Sequence, residues 1–209
     1  MKTDNITVNT QSSICIDGSK VLYFDPFQIR EENHRADIVL VTHSHYDHFD
    51  PESISKIAKD GTVYVVPASM EKELRGAVRE GELITVNPGD VVETGGIRIQ
   101  AVPAYNRLKP FHPKRNQWVG YVVTMDGIRY YVAGDTDAVP ELEKISCDVA
   151  LVPIGGTYTM TAKEAAKLIN AIGPKTAIPI HYGSIVGKKE DAEIFREHVT
   201  KDIAVEFKL

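Results

Sequence analysis

The segment Thr42-His43-Ser44-His45-Tyr46-Asp47-His48 carries three of the seven histidines in this chain of 209 residues. It follows an almost continuous apolar run over residues 37–42, which is typical of a strand buried on both faces. Ligands in sheet proteins gather at the carboxyl ends of strands. If the extended backbone continues for two residues, His43 and His45 point to the same side. The segment therefore predicts a metal site made of imidazole and carboxylate groups, rather than a surface loop that happens to carry three histidines.

Two later segments place a further possible ligand at the end of a predicted strand. Gly134-Asp135-Thr136 follows a strand over residues 128–133, and His181 follows a strand over residues 176–180. Taken alone, each residue is more often a loop acid or a buried histidine than a metal ligand. Together with the histidine cluster, they predict one shared site.

The composition excludes several classes of protein. Hydrophobic residues make up 43% of the chain and charged residues 25%, which is ordinary for a globular protein. The net charge of −5 argues against binding to nucleic acid or anionic membranes by charge alone. Cys15 and Cys147 are too few for a disulfide scaffold, and no signal peptide or apolar run of ~18–20 residues is present. We therefore expect a cytoplasmic protein with a single domain over residues 1–209.

The element order predicts an α/β fold in which strands and helices are mixed. Asp17-Gly18 and Asp126-Gly127 are hairpin turns, and Thr161 with Glu164 forms a capping box before an amphipathic helix. Helices are predicted over residues 50–61, 69–80, 161–172 and 191–199. Strands are predicted over residues 12–16, 20–24, 37–42, 62–66, 83–86, 97–102, 119–124, 128–133, 148–154, 176–180 and 203–207. Since helices must cover sheet faces, we expect two packed β-sheets with helices outside.

These motifs resemble the metallo-β-lactamase superfamily over almost the whole chain. The resemblance is carried by the HxHxDH pattern of residues 43–48, by Gly134-Asp135-Thr136 and by the late His181. Asp25-Pro26-Phe27 and Ile180-His181-Tyr182-Gly183 make the chain more closely similar to the small single-domain metal-dependent hydrolases of that superfamily. That group resembles ascorbate-6-phosphate lactonase and N-acylphosphatidylethanolamine phospholipase D-like proteins. The resemblance implies a four-layer αββα sandwich with a dinuclear site at one edge of its two sheets.

The same resemblance implies one or two divalent metal ions per chain, with zinc favoured and manganese, nickel or iron as alternatives. Asp47 is also implied to orient the attacking hydroxide and to take part in proton transfer. The implied ligands are His43 and His45 for one ion, Asp47, His48 and His181 for the other, and Asp135 as a bridge.

The chain departs from the family at one position. Tyr105 stands where a further histidine is normal, which leaves the first ion with two imidazoles and a shared carboxylate. The next histidine is His112, seven residues later and flanked by Pro110 and Pro113. We expect His112 to reach the metal site and to take part in catalysis. The alternatives are that it contacts the substrate or has no role.

Two loops are candidate walls of the substrate pocket. The loop over residues 105–117 carries four basic residues in an otherwise acidic protein. We interpret it as a lid that brings Lys109 to an anionic substrate, with a solvated loop as the alternative. The loop over residues 155–160 supplies Tyr158 as a second predicted substrate contact.

The predicted activity is that of a metal-dependent hydrolase. A metal lowers the pKa of bound water towards ~7, so a metal-bound hydroxide would attack a small, anionic ester, lactone or phosphodiester. An oxygen- or redox-active iron protein on the same fold is one alternative, and a metal-binding module without catalysis is another. The expected partner is a small-molecule substrate, without nucleic acid or membrane insertion, and a homo-oligomer is left open.

Overall fold

The computed structural model describes residues 3–78 and 81–209, and within them the strands form two mixed sheets. The first sheet runs in the order β1 to β6, with β1 Ile6–Thr10, β2 Ser13–Asp17, β3 Val21–Phe24, β4 Ala36–Leu40, β5 Ala58–Pro67 and β6 Glu82–Val86. The second runs in the order β13 to β7, with β7 Val91–Thr94, β8 Ile97–Pro103, β9 Val119–Met125, β10 Ile128–Val132, β11 Val149–Pro153, β12 Thr176–Ile180 and β13 Ala204–Val205.

The helices lie outside the two sheets. They are α1 Pro51–Ile57, α2 Glu71–Ala77, α3 Ala162–Ile172 and α4 Glu190–His198, with short 3-10 helices at Ala68–Met70, Lys114–Asn116 and Pro140–Lys144. None of these helices has the length and apolar character needed to cross a bilayer, in the part of the chain that the structure describes.

The layers follow from the alternation of side chains along each strand. In β4, Leu40 belongs to the core between the sheets, whereas Val39 packs with apolar side chains of α1 and α2. In β10, Val132 belongs to the central core, whereas Tyr131 packs with apolar side chains of α3 and α4. Each sheet is therefore covered on both faces, and the predicted αββα sandwich is confirmed.

The first residues of the helices agree with the predicted bounds better than the last residues do. Thr161 and Glu164 form the predicted capping box of α3, and Asp50 caps α1 as expected. However, α1 ends at Ile57 rather than near residue 61, because residue 58 already pairs with β4 at the start of β5. Helix α2 ends at Ala77 rather than near residue 80, and residues 79 and 80 lie outside the described residues.

Three of the four edge strands in the described sheets were the least predictable elements. The sequence pattern does not predict β1 or β7, which pair antiparallel with β2 and β8. The final strand, β13, is also shorter than the predicted range of 203–207. These strands are short and each pairs on one side only, so their apolar pattern is weak.

The carboxyl ends of β4, β8, β10 and β12 meet at one edge of the sandwich. Strand β8 points the same way as β10, because both pair antiparallel with β9, and β10 to β12 are parallel. Hydrogen bonds join the sheets at this edge: the Val119 N–H donates to the Thr42 carbonyl at 3.2 Å, and the His181 N–H to the Gln11 carbonyl at 3.0 Å. Gly134 allows the close approach, since a Cβ there would lie 3.0 Å from Cβ of Thr42. Loops of both sheets are therefore fixed around one point.

Candidate metal centre

The structure brings all six predicted ligands to this edge, together with His112. The histidine cluster follows β4, Asp135 follows β10 and His181 follows β12, so each side chain arrives on a loop that directly follows a strand end. Among the described residues, the ligand atoms form three overlapping groups: His43, His45 and His112; Asp47, His48 and His181; and His43, His48 and Asp135, which takes one histidine from each of the other two.

The first group consists of His43, His45 and His112. One ring nitrogen from each lies within 4.8 Å of the others, which is close enough for a single ion to contact all three. Nε2 of His43 is 3.1 Å from Nδ1 of His45. The imidazole of His112 is buried and its ring centroid lies 5.0 Å from that of His43. The geometry therefore places a third imidazole where the sequence pattern had left only two.

The second group consists of Asp47, His48 and His181, whose ligand atoms again lie within 4.8 Å of one another. Nε2 of His181 is 3.3 Å from Oδ2 of Asp47, and Nε2 of His48 is 3.7 Å from the same oxygen. The backbone of His181 is left-handed, with φ of 57°, which is uncommon outside glycine and is often found at functional sites.

Asp135 lies between the two groups and contacts both. Its Oδ2 is 3.3 Å from Nε2 of His112 in the first group and 3.4 Å from Nε2 of His181 in the second. Its Oδ1 is 3.3 Å from Nε2 of His48. A single buried carboxylate thus has the position that a bridging ligand requires.

Several of these buried atoms have no hydrogen-bond partner within the described residues. They are Nε2 of His48, His112 and His181, and Oδ1 of Asp135. Leaving a buried polar atom unsatisfied is costly, and such atoms call for an explanation such as a bound ion. Imidazole nitrogens and carboxylate oxygens are the donors that zinc and related divalent metals accept. The donor set therefore fits a divalent cation.

Asp25 supports this site, a role that the sequence pattern does not predict. It is fully buried, and its Oδ2 lies 2.7 Å from Nδ1 of His48. Thr42 donates its N–H and its hydroxyl to the same carboxylate, both at 2.7 Å. This network directs Nε2 of His48 towards the ligand groups. The available signal was an aspartate placed directly after the apolar strand β3.

Asn106 supports His112 in the same manner. Its Oδ1 accepts a hydrogen bond from the His112 backbone N–H at 3.1 Å and lies 3.0 Å from Nδ1 of the ring. Its Nδ2 donates to Oδ1 of Asp137 and to the Tyr158 carbonyl. Tyr105 stands outside both groups, since its hydroxyl donates to Glu141. The imidazole expected at position 105 is therefore replaced by one from further along the loop.

Burial and charge set the protonation of the site. Burial lowers the pKa of His43 well below its usual range, and the neighbouring His48 adds to the effect. Burial also opposes a charge on His48, but the carboxylates of Asp135 and Asp25 outweigh it and raise the pKa of that histidine. For Asp135, His181 and His48 outweigh burial and hold the pKa well below its usual range. The carboxylate is thus ionised and able to bind a cation.

A cavity of about 220 Å³ opens in front of these groups. Tyr158 lines it, whereas Lys109 does not. Nζ of Lys109 donates to Oδ1 of Asp137 at 2.8 Å and to the Thr159 carbonyl. The loop over residues 105–117 is therefore tied to the fold, and the predicted contact between Lys109 and substrate has no counterpart in the cavity wall. The lining residues are His45, Tyr46, Asp47, Phe111, His112, Asp135, Tyr158 and Ile185.

Known proteins are similar to this chain in both sequence and fold. Residues 5–182 match the family described as the beta-lactamase superfamily domain. A UPF0173 metal-dependent hydrolase from Thermoplasma acidophilum is 37% identical over 196 residues, which cover 86% of this chain and 83% of the relative. The crystal structure of a protein described as a metal-dependent hydrolase from Parabacteroides distasonis has a TM-score of 0.84 at 30% identity, and the match covers 98% of this chain and 92% of that one.

A further similar structure is CmlA, a diiron beta-hydroxylase from Streptomyces venezuelae. Its TM-score is 0.77 at 13% identity, and the match covers 98% of this chain and 52% of that one, so the likeness concerns the fold alone. Together, the matching family, the site and the sandwich define the class: the chain belongs to the metallo-β-lactamase superfamily. Within it, the chain is a metal-dependent hydrolase, as its relatives are named, which confirms the predicted family and enzyme class.

Proposed function

We propose that this hydrolase binds two divalent cations, zinc in the first instance, and cleaves a small ester, lactone or phosphodiester with water. The observation that supports this most strongly is the pair of three-ligand groups joined by Asp135, with buried donor atoms that lack other partners. With His112 included, each group offers three ligands of its own and a share in the bridge. Four ligands are the usual number for zinc in proteins.

The chemistry needs an activated water and a proton acceptor. Bound ions of this kind lower the pKa of a coordinated water towards ~7 and polarise the oxygen of the bond under attack. Asp47 lines the cavity, so it is placed to orient that water and to accept its proton. Although burial favours the neutral acid, the nearby imidazoles of His181 and His48 lower the pKa of Asp47. Its carboxylate is therefore ionised at neutral pH and ready to act as a base.

The substrate is a small molecule, and the protein acts in the cytoplasm. Both cysteines are free, which suits a reducing compartment. The expectation of an anionic substrate rested on the basic loop over residues 105–117, with Lys109 as the predicted contact. We do not retain it, because the Lys109 ammonium group is paired with Asp137 within the fold.

Metal exchange tests the proposed activity. The protein is stripped with a chelator, reloaded with zinc, manganese, nickel or ferrous ion, and assayed with p-nitrophenyl acetate and bis-p-nitrophenyl phosphate. We expect turnover to vanish on stripping and to return on reloading. Asp47→Asn should lower kcat by about 100-fold or more, the usual scale for a lost general base. His198→Ala, on the exposed end of α4, serves as the control. Turnover that survives stripping would contradict the proposal.

A further inference from the structure

The mouth of the cavity is lined by exposed apolar side chains. Tyr46 is 66% exposed, Phe111 41% and Ile185 42%, and all three line the cavity in front of the ligand groups. Scattered exposed apolar residues need no explanation, but a contiguous group around a cleft marks a binding surface. These residues come from three separate loops, so their meeting at one cavity is a property of the fold.

Aromatic pairs hold two of these side chains in place. The ring centroid of Phe111 lies 4.6 Å from that of Tyr158, with the planes at 88°. On the opposite loop, Tyr46 meets the buried Phe27 at 6.0 Å and 74°. Edge-to-face pairs of this kind are favourable, so the two walls are formed before a ligand arrives.

The charges around the cavity do not favour a substrate that carries an anionic group at a distance from the bond to be cleaved. Neither lysine nor arginine lines the cavity among the residues that the structure describes. Lys109 is paired with Asp137, and Lys114 is paired with Glu141. A distant phosphate or carboxylate on the substrate would therefore find no cation in the cavity wall that the structure describes, whereas an apolar group would meet aromatic and aliphatic surface.

We propose that the substrate carries a small, neutral, apolar acyl or aryl group. This group lies between Tyr46, Phe111, Tyr158 and Ile185, while the carbonyl under attack faces the ligand groups. The cavity volume of about 220 Å³ limits its size, since this is room for roughly seven water-sized groups at ~30 Å³ each. The inference rests on the proposed hydrolytic function and specifies its substrate class.

Esters with one leaving group and different acyl groups test this inference in the metal-loaded enzyme. The substrates are p-nitrophenyl acetate, butyrate and hexanoate, with p-nitrophenyl succinate as the charged counterpart of the butyrate. We expect kcat/KM to rise about fourfold for each added methylene until the cavity is filled. The butyrate should exceed the succinate by about tenfold or more, since the charged group loses its hydration without gaining a partner. Equal values, or a preference for succinate, would overturn the inference.

Variants connect the preference to the named residues. Phe111→Ala should lower kcat/KM for the butyrate ester until it is close to the value for the acetate ester. The metal content should not change. Leu108→Ala is the matched control, because Leu108 is 97% exposed on the same loop and does not line the cavity. Ile185→Lys should shift the preference towards succinate by about tenfold, as expected for a new partner to the carboxylate. Unchanged ratios in both cavity variants would overturn the inference.

Binding of hydroxamates separates this inference from the proposed reaction. Acetohydroxamate, butyrohydroxamate and succinic monohydroxamate share a metal-binding group and differ in the attached chain. Trp118 is the single tryptophan of the chain, and its ring centroid lies 5.0 Å from His43 and 4.9 Å from His45, so its fluorescence reports binding. Tighter binding of butyrohydroxamate than of the other two, without ester turnover, would support the apolar site and contradict hydrolysis of esters. Turnover with equal binding of all three would support hydrolysis and overturn the apolar site.

Discussion

Oδ2 of Asp25 lies 2.7 Å from Nδ1 of His48, behind the candidate metal centre. This contact occupies one ring nitrogen of His48 and leaves the other, Nε2, facing Asp135 at 3.3 Å. Because Thr42 holds the Asp25 carboxylate with two hydrogen bonds, the ring has little freedom to rotate. Metal-binding histidines commonly have such a partner on their second nitrogen, which fixes the tautomer and orientation.

Asp25→Asn should therefore weaken metal binding at the group of Asp47, His48 and His181. We expect a loss of about 10–100-fold in affinity, the usual effect of removing such a partner. Competition with a coloured chelator measures it, and circular dichroism checks the fold. Asp126→Asn, on an exposed turn, is the control. Wild-type affinity in the Asp25 variant would show that this carboxylate does not position His48.

Asn106→Leu should weaken binding at the other group, since the amide that holds His112 is lost. An affinity lower by about 10–100-fold is expected for one ion, while the second ion stays bound. Asn106→Asp keeps the acceptor oxygen and should have a smaller effect. Chelator competition followed by elemental analysis distinguishes the two ions. Equal affinities in the Leu and Asp variants would contradict the role assigned to Asn106.

Tyr105→His should not rescue the loss of His112. The side chain at position 105 is directed towards Glu141, with Lys114 over its ring, so a histidine there would not face the first group. We expect the double variant, His112→Ala with Tyr105→His, to bind as little metal at the first group as His112→Ala alone. Recovery of the lost ion in the double variant would show that the loop can rearrange to the arrangement usual in the family.

The parts of this protein that were predictable from sequence depend on short-range patterns. The spacing of residues 43–48, the position of Asp135 and His181 after apolar strands, and the capping box of α3 are each legible within a few residues. Since carboxyl ends of strands meet at one edge of a sheet, these local patterns were sufficient to predict the site. His112 was predicted as a ligand because the first ion lacked a third imidazole, and not because of a sequence pattern.

The features that could not be predicted from sequence depend on contacts between segments that lie far apart in the chain. Asp25 meets His48 only because β3 and β4 pair in parallel, and Asn106 is recognised as a support only from the path of its loop. The charge of its loop predicts that Lys109 contacts the substrate, whereas in the fold its ammonium group is paired with Asp137, which is distant in sequence. The apolar mouth of the cavity likewise combines three loops, none of which has a periodic pattern.

The partly buried thiol of Cys147 gives the folded protein a specific pH dependence. Burial raises its pKa to about 12, above the ordinary value of ~8.5 that it regains on unfolding. The folded state therefore holds this proton more tightly, so the stabilisation is complete below ~8.5 and is lost as the pH rises through about 12. The free energy of unfolding of wild type relative to Cys147→Ala, measured in urea, should fall between about pH 9 and pH 11. A difference that is constant over this range would contradict the prediction.

The number of metal ions per chain tests the central claim, that Asp135 joins the group of His43, His45 and His112 to the group of Asp47, His48 and His181. The measurement is elemental analysis of the untagged protein beside His112→Ala and His181→Ala, after dialysis against trace metal. We expect two ions in the wild type and one in each variant, because each substitution removes a ligand from a different group. One ion in the wild type, or two ions in both variants, would contradict the account.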